Sequence, residues 1–166
     1  ESVREGKFDP YREEARRQVE AGAQMLDVNV GVPGIDEEEA MARAVLAVQQ
    51  AVGVPMSIDS PRPEVILKGL KMADGKVLIN SVTGEEESLR NVLPLAKKYG
   101  AAVLALTLDE EGIPPSAQGR VAIARRILER ARAEGLRETD LLIDCLTLSA
   151  GAEQEKAAET IWAVSY

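Results

Sequence analysis

The chain divides into short runs of apolar residues and longer segments in which apolar residues recur every three or four positions. The short runs predict buried strands, and the longer segments predict amphipathic helices. Asp9 followed by Pro10 predicts the start of the first helix, with Asp9 as its cap, and Gly22 predicts its end. The predicted helices are 9–21, 36–52, 61–72, 87–99, 115–134 and 153–166, and the predicted strands are 24–30, 54–58, 77–82, 101–108 and 141–146.

These elements make one helix followed by five strand–helix units. Strict alternation with apolar strands predicts a parallel sheet covered by helices, which places the chain in the α/β class. Two architectures fit this pattern, a flavodoxin-like doubly wound sheet and an arc of a (β/α)8 barrel. No glycine-rich phosphate loop of the dinucleotide or Walker type follows a predicted strand, which argues against nucleotide binding.

The composition of the 166 residues, with 45% apolar and 29% charged, fits one globular domain. A formal net charge of −8 argues against nucleic-acid binding, which needs Lys and Arg to neutralise phosphates. The sequence shows no signal peptide and no apolar run of the roughly 20 residues that a membrane helix requires. We therefore expect a cytoplasmic location and no membrane partner.

Histidine is absent from the sequence, and Cys145 is its one cysteine. Without histidine the sequence offers no imidazole base, no Ser-His-Asp triad and no histidine-ligated metal. A single cysteine rules out an internal disulfide and a multi-cysteine zinc site. Any chemistry of this sequence therefore depends on carboxylates, amides, hydroxyls and bound cofactors, and no metal site is predicted.

Polar residues collect at or near the carboxyl end of every predicted strand. In a parallel α/β fold all these ends lie on one face, and a carboxylate in an apolar strand is costly to desolvate unless something binds it. The sequence therefore predicts a binding site on this face. Its candidate residues are Asp27, Asn29, Asp59, Asn80, Ser81, Thr107, Asp109 and Asp144.

Each candidate also has a structural interpretation. Asp27 and Asn29 share a strand face and belong either to the site or to the loop that follows. Ser60 is predicted to cap the next helix, which leaves Asp59 for the site. Asp109 begins the acidic sequence DEEG and is either a site residue or a solvated one.

Asn80 and Asp144 lie inside the apolar sequences VLINSV and LLIDCL, where no turn requires them. Cys145 is predicted to be a small buried hydrophobe rather than a nucleophile, because no basic neighbour lowers its pKa. Two carboxylates and an amide at one mouth suit a flat ligand with several N–H donors, such as a pterin. Charge-assisted hydrogen bonds of this kind contribute about 1.5–3 kcal/mol each.

Five segments of the sequence carry a family resemblance, and they are DVNVG (27–31), SIDSPRPEVILKGLK (57–71), LINSVTG (78–84), KKYGAAVLALTLDEEGIP (97–114) and LLIDCLTL (141–148). Together they resemble the pterin-binding domain family. Within this family the likeness is greatest to methyltetrahydrofolate–corrinoid methyltransferases and to the folate domain of cobalamin-dependent methionine synthase. Dihydropteroate synthase is a more distant relative.

The resemblance implies a (β/α)8 barrel that binds folate at the carboxyl-end face of its strands. By position, Asp59, Asn80 and Asp144 match the family's pterin-contacting residues, and Asp27 and Asn29 match the polar end of its second strand. The implied reaction moves the methyl group of 5-methyltetrahydrofolate to the cobalt of a corrinoid (cobalamin) on a separate protein or domain, with protonation at nitrogen-5 of the folate. The resemblance also suggests a homodimer.

Two other functions stay open at this stage. One is a dihydropteroate synthase-like enzyme, which is disfavoured because the loop GVPGIDEEE lacks the Arg-Pro-Gly style sequence expected of synthases. The other is a non-catalytic pterin-binding or flavodoxin-like module. A corrinoid-binding module is disfavoured because its cobalt-ligand loop requires a histidine.

Relative to the family pattern, we expect residues 1–166 to be a pterin-binding barrel domain without the first strand and the seventh and eighth βα units. The seventh strand of the family supplies an Asn near nitrogen-5 of the folate, so we expect these residues alone to be inactive. Cys145 stands where many members have Pro, and the loop after Asp144 is therefore expected to differ locally.

Overall fold

A computed structural model of the chain describes residues 8–147 and 154–166. Every predicted element is present. Four of the strands are shorter than predicted, and the third has the predicted length but begins one residue later. The start of the last predicted helix, at Glu153, lies outside the described residues. The helices are α1 (Asp9–Glu20), α2 (Glu37–Ala51), α3 (Pro63–Met72), α4 (Glu86–Tyr99), α5 (Ala117–Ala133) and α6 (Gln154–Val164), and the strands are β1 (Leu26–Asn29), β2 (Met56–Asp59), β3 (Leu78–Thr83), β4 (Ala102–Leu106) and β5 (Leu141–Asp144).

The five strands form one sheet in chain order, β1-β2-β3-β4-β5. β1 pairs with β2, β2 with β3 and β4 with β5, each time in parallel. A flavodoxin-like sheet reverses its strand order near the middle, whereas a (β/α)8 barrel keeps the order of the chain. The structure therefore confirms the α/β prediction and has the strand order of an arc of the (β/α)8 barrel.

The residue contacts divide the chain into two compact units, residues 1–80 with 99–101 and residues 81–98 with 102–166. In the first unit, the residues Val28, Ile58 and Ile79 occupy neighbouring register positions on β1, β2 and β3, and all three are buried. Helix α2 packs against β1, α3 packs against β2, and the two helices pack against each other. Burial of this apolar row leaves the alternate residues of the same strands on the opposite face.

In the second unit, α5 contacts β4 and α6. Its residues Ala117, Arg120, Ile123, Ile127 and Ala131 are buried. Arginines usually lie on the polar face of an amphipathic helix, but Arg120 is fully buried. The reason is spacing, because Arg120 lies three residues before Ile123 and seven before Ile127, on the same face of the helix.

Strand β5 departs from the prediction of a buried strand, because Leu142 and Ile143 are each more than two-fifths exposed. β5 is an edge strand of the described sheet and has one neighbouring strand, β4. None of the helices in the described ranges combines the length and the apolar character needed to cross a lipid bilayer.

Two of the predicted helix starts differ in detail. Asp9 is the first residue of α1, and the cap residue is Phe8. The Asp9 carboxylate accepts a hydrogen bond from Arg12. Ser60 does not cap α3, which begins at Pro63 with Arg62 as its cap residue. Its hydroxyl oxygen instead accepts a hydrogen bond from the Arg62 amide, which orders the turn before the helix.

Two other helices begin with capping side chains. The carboxylate of Asp36 accepts a hydrogen bond from the Glu39 amide at the start of α2. At the start of α5, Ser116 accepts one from the Gly119 amide. Each cap satisfies an amide that the helix itself leaves without an acceptor.

We expect Gly84→Ala to destabilise the protein by about 1–3 kcal/mol, because the added methyl group overpacks a closed site. A Cβ at this position would lie 2.6 Å from Ile123 Cγ2, 2.8 Å from an Arg126 nitrogen and 3.0 Å from the Leu108 carbonyl oxygen. Gly53→Ala is the matched control, since nothing lies within 4 Å of its Cβ position. Urea unfolding of the two variants tests this expectation, and equal stability losses would contradict it.

Candidate functional site

In the first unit, three polar residues lie side by side at one face of the sheet. Asn29 of β1 is in register with Asp59 of β2, which is in register with Asn80 of β3. We call these three residues the polar row. Their register partners one position earlier are buried apolar residues, so strand alternation directs the polar row away from the helices. The structure thus brings three of the predicted site residues together.

The amide of Asn29 holds the carboxylate of Asp59. Asn29 Nδ2 donates to Asp59 Oδ2 at 2.7 Å, while Asn29 Oδ1 accepts from the Gly31 amide at 2.8 Å. The second bond fixes which end of the amide is the donor. The Asn29 carbonyl oxygen also accepts from the Tyr11 hydroxyl at 3.3 Å. Asn29 is therefore placed to orient Asp59, and the Gly31 contact orients Asn29.

A second amide–carboxylate pair crosses the same face. Asn80 Nδ2 donates to Asp27 Oδ1 at 3.3 Å, across the central strand β2. The backbone of Asn80 is also engaged, because its carbonyl oxygen accepts from the Ser60 amide at 3.1 Å. Asp27 thus joins the polar row through Asn80.

These pairs leave acceptors for a ligand. Among the described residues, none donates a hydrogen bond to Asp59 Oδ1 or to Asn80 Oδ1. Both side chains are partly exposed, so a ligand can reach them. An ionised carboxylate accepts hydrogen bonds only, so the ligand edge that fits here carries N–H donors.

Ser57 lies one step below the polar row on the same face, since it precedes Asp59 by two positions in β2. It is 4% exposed, and its hydroxyl has no hydrogen-bond partner within the described residues. A buried hydroxyl without a partner costs about 1–3 kcal/mol. Ser57 was not among the predicted site residues, because nothing in the sequence indicates that its hydroxyl is unpaired.

In the second unit, the carboxylate of Asp144 is engaged in the turn that follows β5. Asp144 Oδ1 accepts from the Leu146 amide at 2.7 Å. Leu146 has a φ of 57°, in the left-handed region that non-glycine residues adopt at a cost of about 1–2 kcal/mol. The Asp144 carbonyl oxygen accepts from both the amide and the hydroxyl of Thr107, each at 3.1 Å. Thr107 therefore supports the Asp144 backbone.

The remaining candidates have other surroundings. Asp109 has both carboxylate oxygens engaged, one by the Glu111 amide and the other by Arg126 at 3.1 Å. Ser81 follows Asn80 directly in β3, so the two side chains point to opposite faces of the strand. The contacts of Asp109 stabilise the loop after β4, and a role for it or for Ser81 in ligand binding stays a prediction.

Arg120 is a residue of this region that the sequence did not identify. It is fully buried, and its side chain donates to the carbonyl oxygens of Pro114, Cys145 and Leu146 at 2.9–3.0 Å and to the Thr160 hydroxyl at 2.6 Å. These acceptors are neutral, and Arg120 Nη2 has no partner among the described residues. The spacing of Arg120 on the apolar face of α5 was the signal that could have identified it.

Cys145 is buried next to Asp144, and burial is the main cause that raises the pKa of its thiol, with a further contribution from the Asp144 carboxylate. The expectation that it has no basic neighbour was wrong, because Arg120 donates to the Cys145 carbonyl oxygen and lowers this pKa, by less than the other two causes raise it. A raised pKa keeps the group as the unreactive thiol. The prediction of a buried, non-nucleophilic cysteine is thus confirmed in its burial. Within the described ranges, no group of three acidic, histidine or cysteine side chains could hold a metal ion.

We expect Ser57→Ala to raise the free energy of unfolding by about 1 kcal/mol, because it removes a buried hydroxyl that has no partner. Thr107→Val is the comparison, since it deletes a hydroxyl that does donate, and it should lower stability by about 1 kcal/mol. Chemical denaturation of both variants measures the difference. A loss of stability in Ser57→Ala would show that its hydroxyl has a partner and would refute this interpretation.

We expect native Cys145 to react with iodoacetamide at least about tenfold more slowly than the unfolded protein near pH 8.5, the ordinary thiol pKa. The folded thiol keeps its proton as pH rises through this value, because its pKa is raised. Mass spectrometry of the Cys145 peptide with and without denaturant measures both rates. Equal rates would mean that the site is open and the pKa ordinary.

The chain is similar in sequence to several known proteins. Over 160 residues the chain is 34% identical to a methionine synthase of Mycobacterium tuberculosis, covering 90% of this chain and 13% of that protein. Over 144 residues it is 31% identical to a methylcorrinoid:tetrahydrofolate methyltransferase of Eubacterium limosum, covering 86% of this chain and 53% of that protein. The chain therefore spans about an eighth of the first relative and about half of the second.

Solved structures give the same fold. The dihydropteroate synthase of Thermus thermophilus matches 82% of this chain and 53% of its own length with a TM-score of 0.68 and 27% identity. The Yersinia pestis enzyme, solved with a pterine-sulfa conjugate, matches 96% of this chain and 62% of its own length with a TM-score of 0.71 and 20% identity. The fold class is therefore part of a pterin-binding (β/α)8 barrel, as the resemblance implied.

The family model of pterin binding enzymes matches residues 2–162, which is nearly the whole chain. The match confirms the predicted family. The parallel sheet with polar residues at the ends of its strands is consistent with it. This chain belongs to the pterin binding enzyme family.

Proposed function

We propose that this chain binds the pterin ring of a folate in an enzyme that moves the methyl group of 5-methyltetrahydrofolate to the cobalt of a corrinoid protein or domain. The observation that carries the proposal is the polar row, in which Asp59 and Asn80 each keep an oxygen to which no described residue donates a hydrogen bond. The names of two relatives, a methionine synthase and a methylcorrinoid:tetrahydrofolate methyltransferase, support the choice of reaction.

The pterin edge has the hydrogen-bonding pattern that these acceptors require. Its ring amide N–H and its exocyclic amino group point the same way, so both can donate to one carboxylate. Asp59 suits this role because Asn29 holds one of its oxygens by a 2.7 Å bond and thereby fixes the plane of the carboxylate. Asn80 suits a neighbouring ring position, since the oxygen of its amide is an acceptor without a partner among the described residues.

The other candidate residues either position the residues that contact the ring or are proposed as further contacts. Asn29 and Asp27 are positioning residues, because each is hydrogen-bonded to a member of the row that would contact the ring. Asp144 is proposed as a pterin contact because of its place in the family motif, and because no described residue donates to the second oxygen of its carboxylate. Ser81 and Asp109 are kept as secondary candidates.

In the proposed reaction this chain binds the folate and assists protonation of its nitrogen-5. A methyl group leaves nitrogen-5 of the folate more readily when that nitrogen gains positive character, so protonation there assists the transfer. The sequence contains no histidine, so a carboxylate, an amide network or a bound water would deliver this proton. When bound, the corrinoid on the partner protein or domain supplies the cobalt that accepts the methyl group. Anchoring the ring sets the direction in which the methyl group points.

A dihydropteroate synthase-like activity is the second candidate. It is favoured by the 27% identity to the Thermus thermophilus enzyme, which has that activity in its name. Both candidates require a pterin in the polar row, so binding of the ring does not separate them. The second substrate does, because a synthase needs 4-aminobenzoate and a methyltransferase needs a corrinoid.

We expect Asp59→Asn in the full-length protein to weaken methyltetrahydrofolate binding by about 10- to 100-fold, because an amide places an N–H group where the ring also donates. Asn80→Ala should weaken it by about tenfold. Asp74→Asn is the matched control, since Asp74 is an exposed residue in the loop before β3. Calorimetric titration gives the three dissociation constants.

Unchanged binding in Asp59→Asn, or an equal loss in Asp74→Asn, would refute the assignment of the ring to the polar row. Demethylation of the folate that requires a reduced corrinoid protein would support the methyltransferase. Formation of dihydropteroate from a pterin diphosphate and 4-aminobenzoate would favour the synthase instead. Binding with neither reaction would favour a non-catalytic pterin-binding module.

A further inference from the structure

We propose that Arg120 is a positioning residue for Asp144, and that it acts through the backbone of the Cys145–Leu146 turn. The inference rests on the proposed function in one respect, which is that Asp144 contacts the pterin. The geometric part of the inference stands on the second unit alone.

Arg120 reaches the turn from the buried face of α5. Its Nη1 donates to the carbonyl oxygens of Cys145 and Leu146, both at 2.9 Å, and its Nε donates to the Pro114 carbonyl oxygen at 3.0 Å. Because the guanidinium is planar and carries its donors in a fixed arrangement, these bonds fix the directions of two consecutive carbonyl groups. Arg120 is fully buried, so water does not compete for them.

Thr160 of α6 completes the arrangement. Its hydroxyl accepts from Arg120 Nη1 at 2.6 Å and lies 3.1 Å from the Leu146 carbonyl oxygen, to which it donates. Because Nη1 carries two hydrogens for three acceptors, one of its N–H groups is shared between two of them. The Leu146 carbonyl oxygen therefore has two donors, and the turn is held from α5 and from α6 at once. Such a network orients a peptide group more firmly than a single hydrogen bond does.

The turn has a conformation that its sequence does not favour. Leu146 has a φ of 57°, which glycine adopts freely and a leucine does not. In this conformation its amide donates to Asp144 Oδ1 at 2.7 Å. The carboxylate of Asp144 thus depends on the left-handed turn, and the left-handed turn depends on the donors that hold its carbonyl groups.

This chain of contacts explains why a cation is buried among neutral oxygens. Burial of a charge is unfavourable, so an arginine on an apolar helix face is less stabilising than an apolar side chain that fills the same space. It is well suited to hold carbonyl groups in an arrangement that the backbone alone would not keep. The consequence is a fixed direction for the second Asp144 oxygen, to which no described residue donates.

The test uses Arg120→Lys and Arg120→Met in the full-length protein, with Arg132→Met as the matched control. Arg132 lies on the same helix, is exposed and pairs with Glu138. A lysine keeps the charge but cannot reach three carbonyl groups. We expect both Arg120 variants to bind methyltetrahydrofolate at least about tenfold more weakly and the Leu146 amide to lose protection from hydrogen exchange. Arg132→Met should change neither quantity.

A rescue variant separates positioning from general stability. Replacing Leu146 by glycine allows a positive φ without strain. Arg120→Met combined with Leu146→Gly should therefore bind methyltetrahydrofolate at least about threefold more tightly than Arg120→Met alone. The same double variant should not recover thermal stability, because glycine also removes an apolar side chain. If the Arg120 variants do not fold, Thr160→Val provides the milder test, with a smaller loss of affinity and of Leu146 amide protection.

If the Leu146 amide keeps its protection from hydrogen exchange in folded Arg120→Lys and Arg120→Met, the inference is overturned, whether or not the affinity for methyltetrahydrofolate changes. Lost affinity without rescue by Leu146→Gly would overturn it too, because the effect would not pass through the turn. If the wild-type protein does not bind methyltetrahydrofolate, the proposed function fails. The exchange of the Leu146 amide then still decides whether Arg120 positions Asp144.

Discussion

The parallel register of β1, β2 and β3 is the constraint on which the candidate site depends. It places Asn29, Asp59 and Asn80 side by side, while the residues one position earlier form a buried apolar row. A shift of one residue in either pairing would turn a carboxylate toward the helices and an isoleucine toward the ligand face. The burial of Ile58 and Ile79 therefore fixes the position of the polar row together with that of the core.

A carboxylate with one oxygen held by an amide donor occurs in both units of the chain. In the first unit an amide donates to one oxygen of Asp59, and in the second unit a backbone amide donates to one oxygen of Asp144. In each case no described residue donates to the other oxygen. A carboxylate held in this way loses little freedom when it binds, and part of the cost of ordering the site is met during folding. The fold that provides these positions is shared with dihydropteroate synthases, so the reaction has to be argued from the site and not from the barrel.

Most of the architecture could be predicted from the sequence, because apolar runs and helical spacing determine where strands and helices lie. Asn80 and Asp144 could be identified as candidates, since polar residues within apolar strands are costly without a partner. The pairing of Asn80 with Asp27 could not be predicted, because it crosses a strand and depends on the register. The burial of Arg120 was missed since arginines usually lie on the polar face of a helix, and the positive φ of Leu146 was missed because no glycine marks the turn.

The most direct test of the central claim is a crystal structure of the full-length protein with 5-methyltetrahydrofolate bound. The proposal requires the amide and amino edge of the pterin to lie within hydrogen-bond distance of Asp59 Oδ1, with Asn80 Oδ1 beside the ring and the Asn29–Asp59 bond intact. A folate bound elsewhere on the protein, with no pterin atom in contact with Asp59 or Asn80, would contradict it.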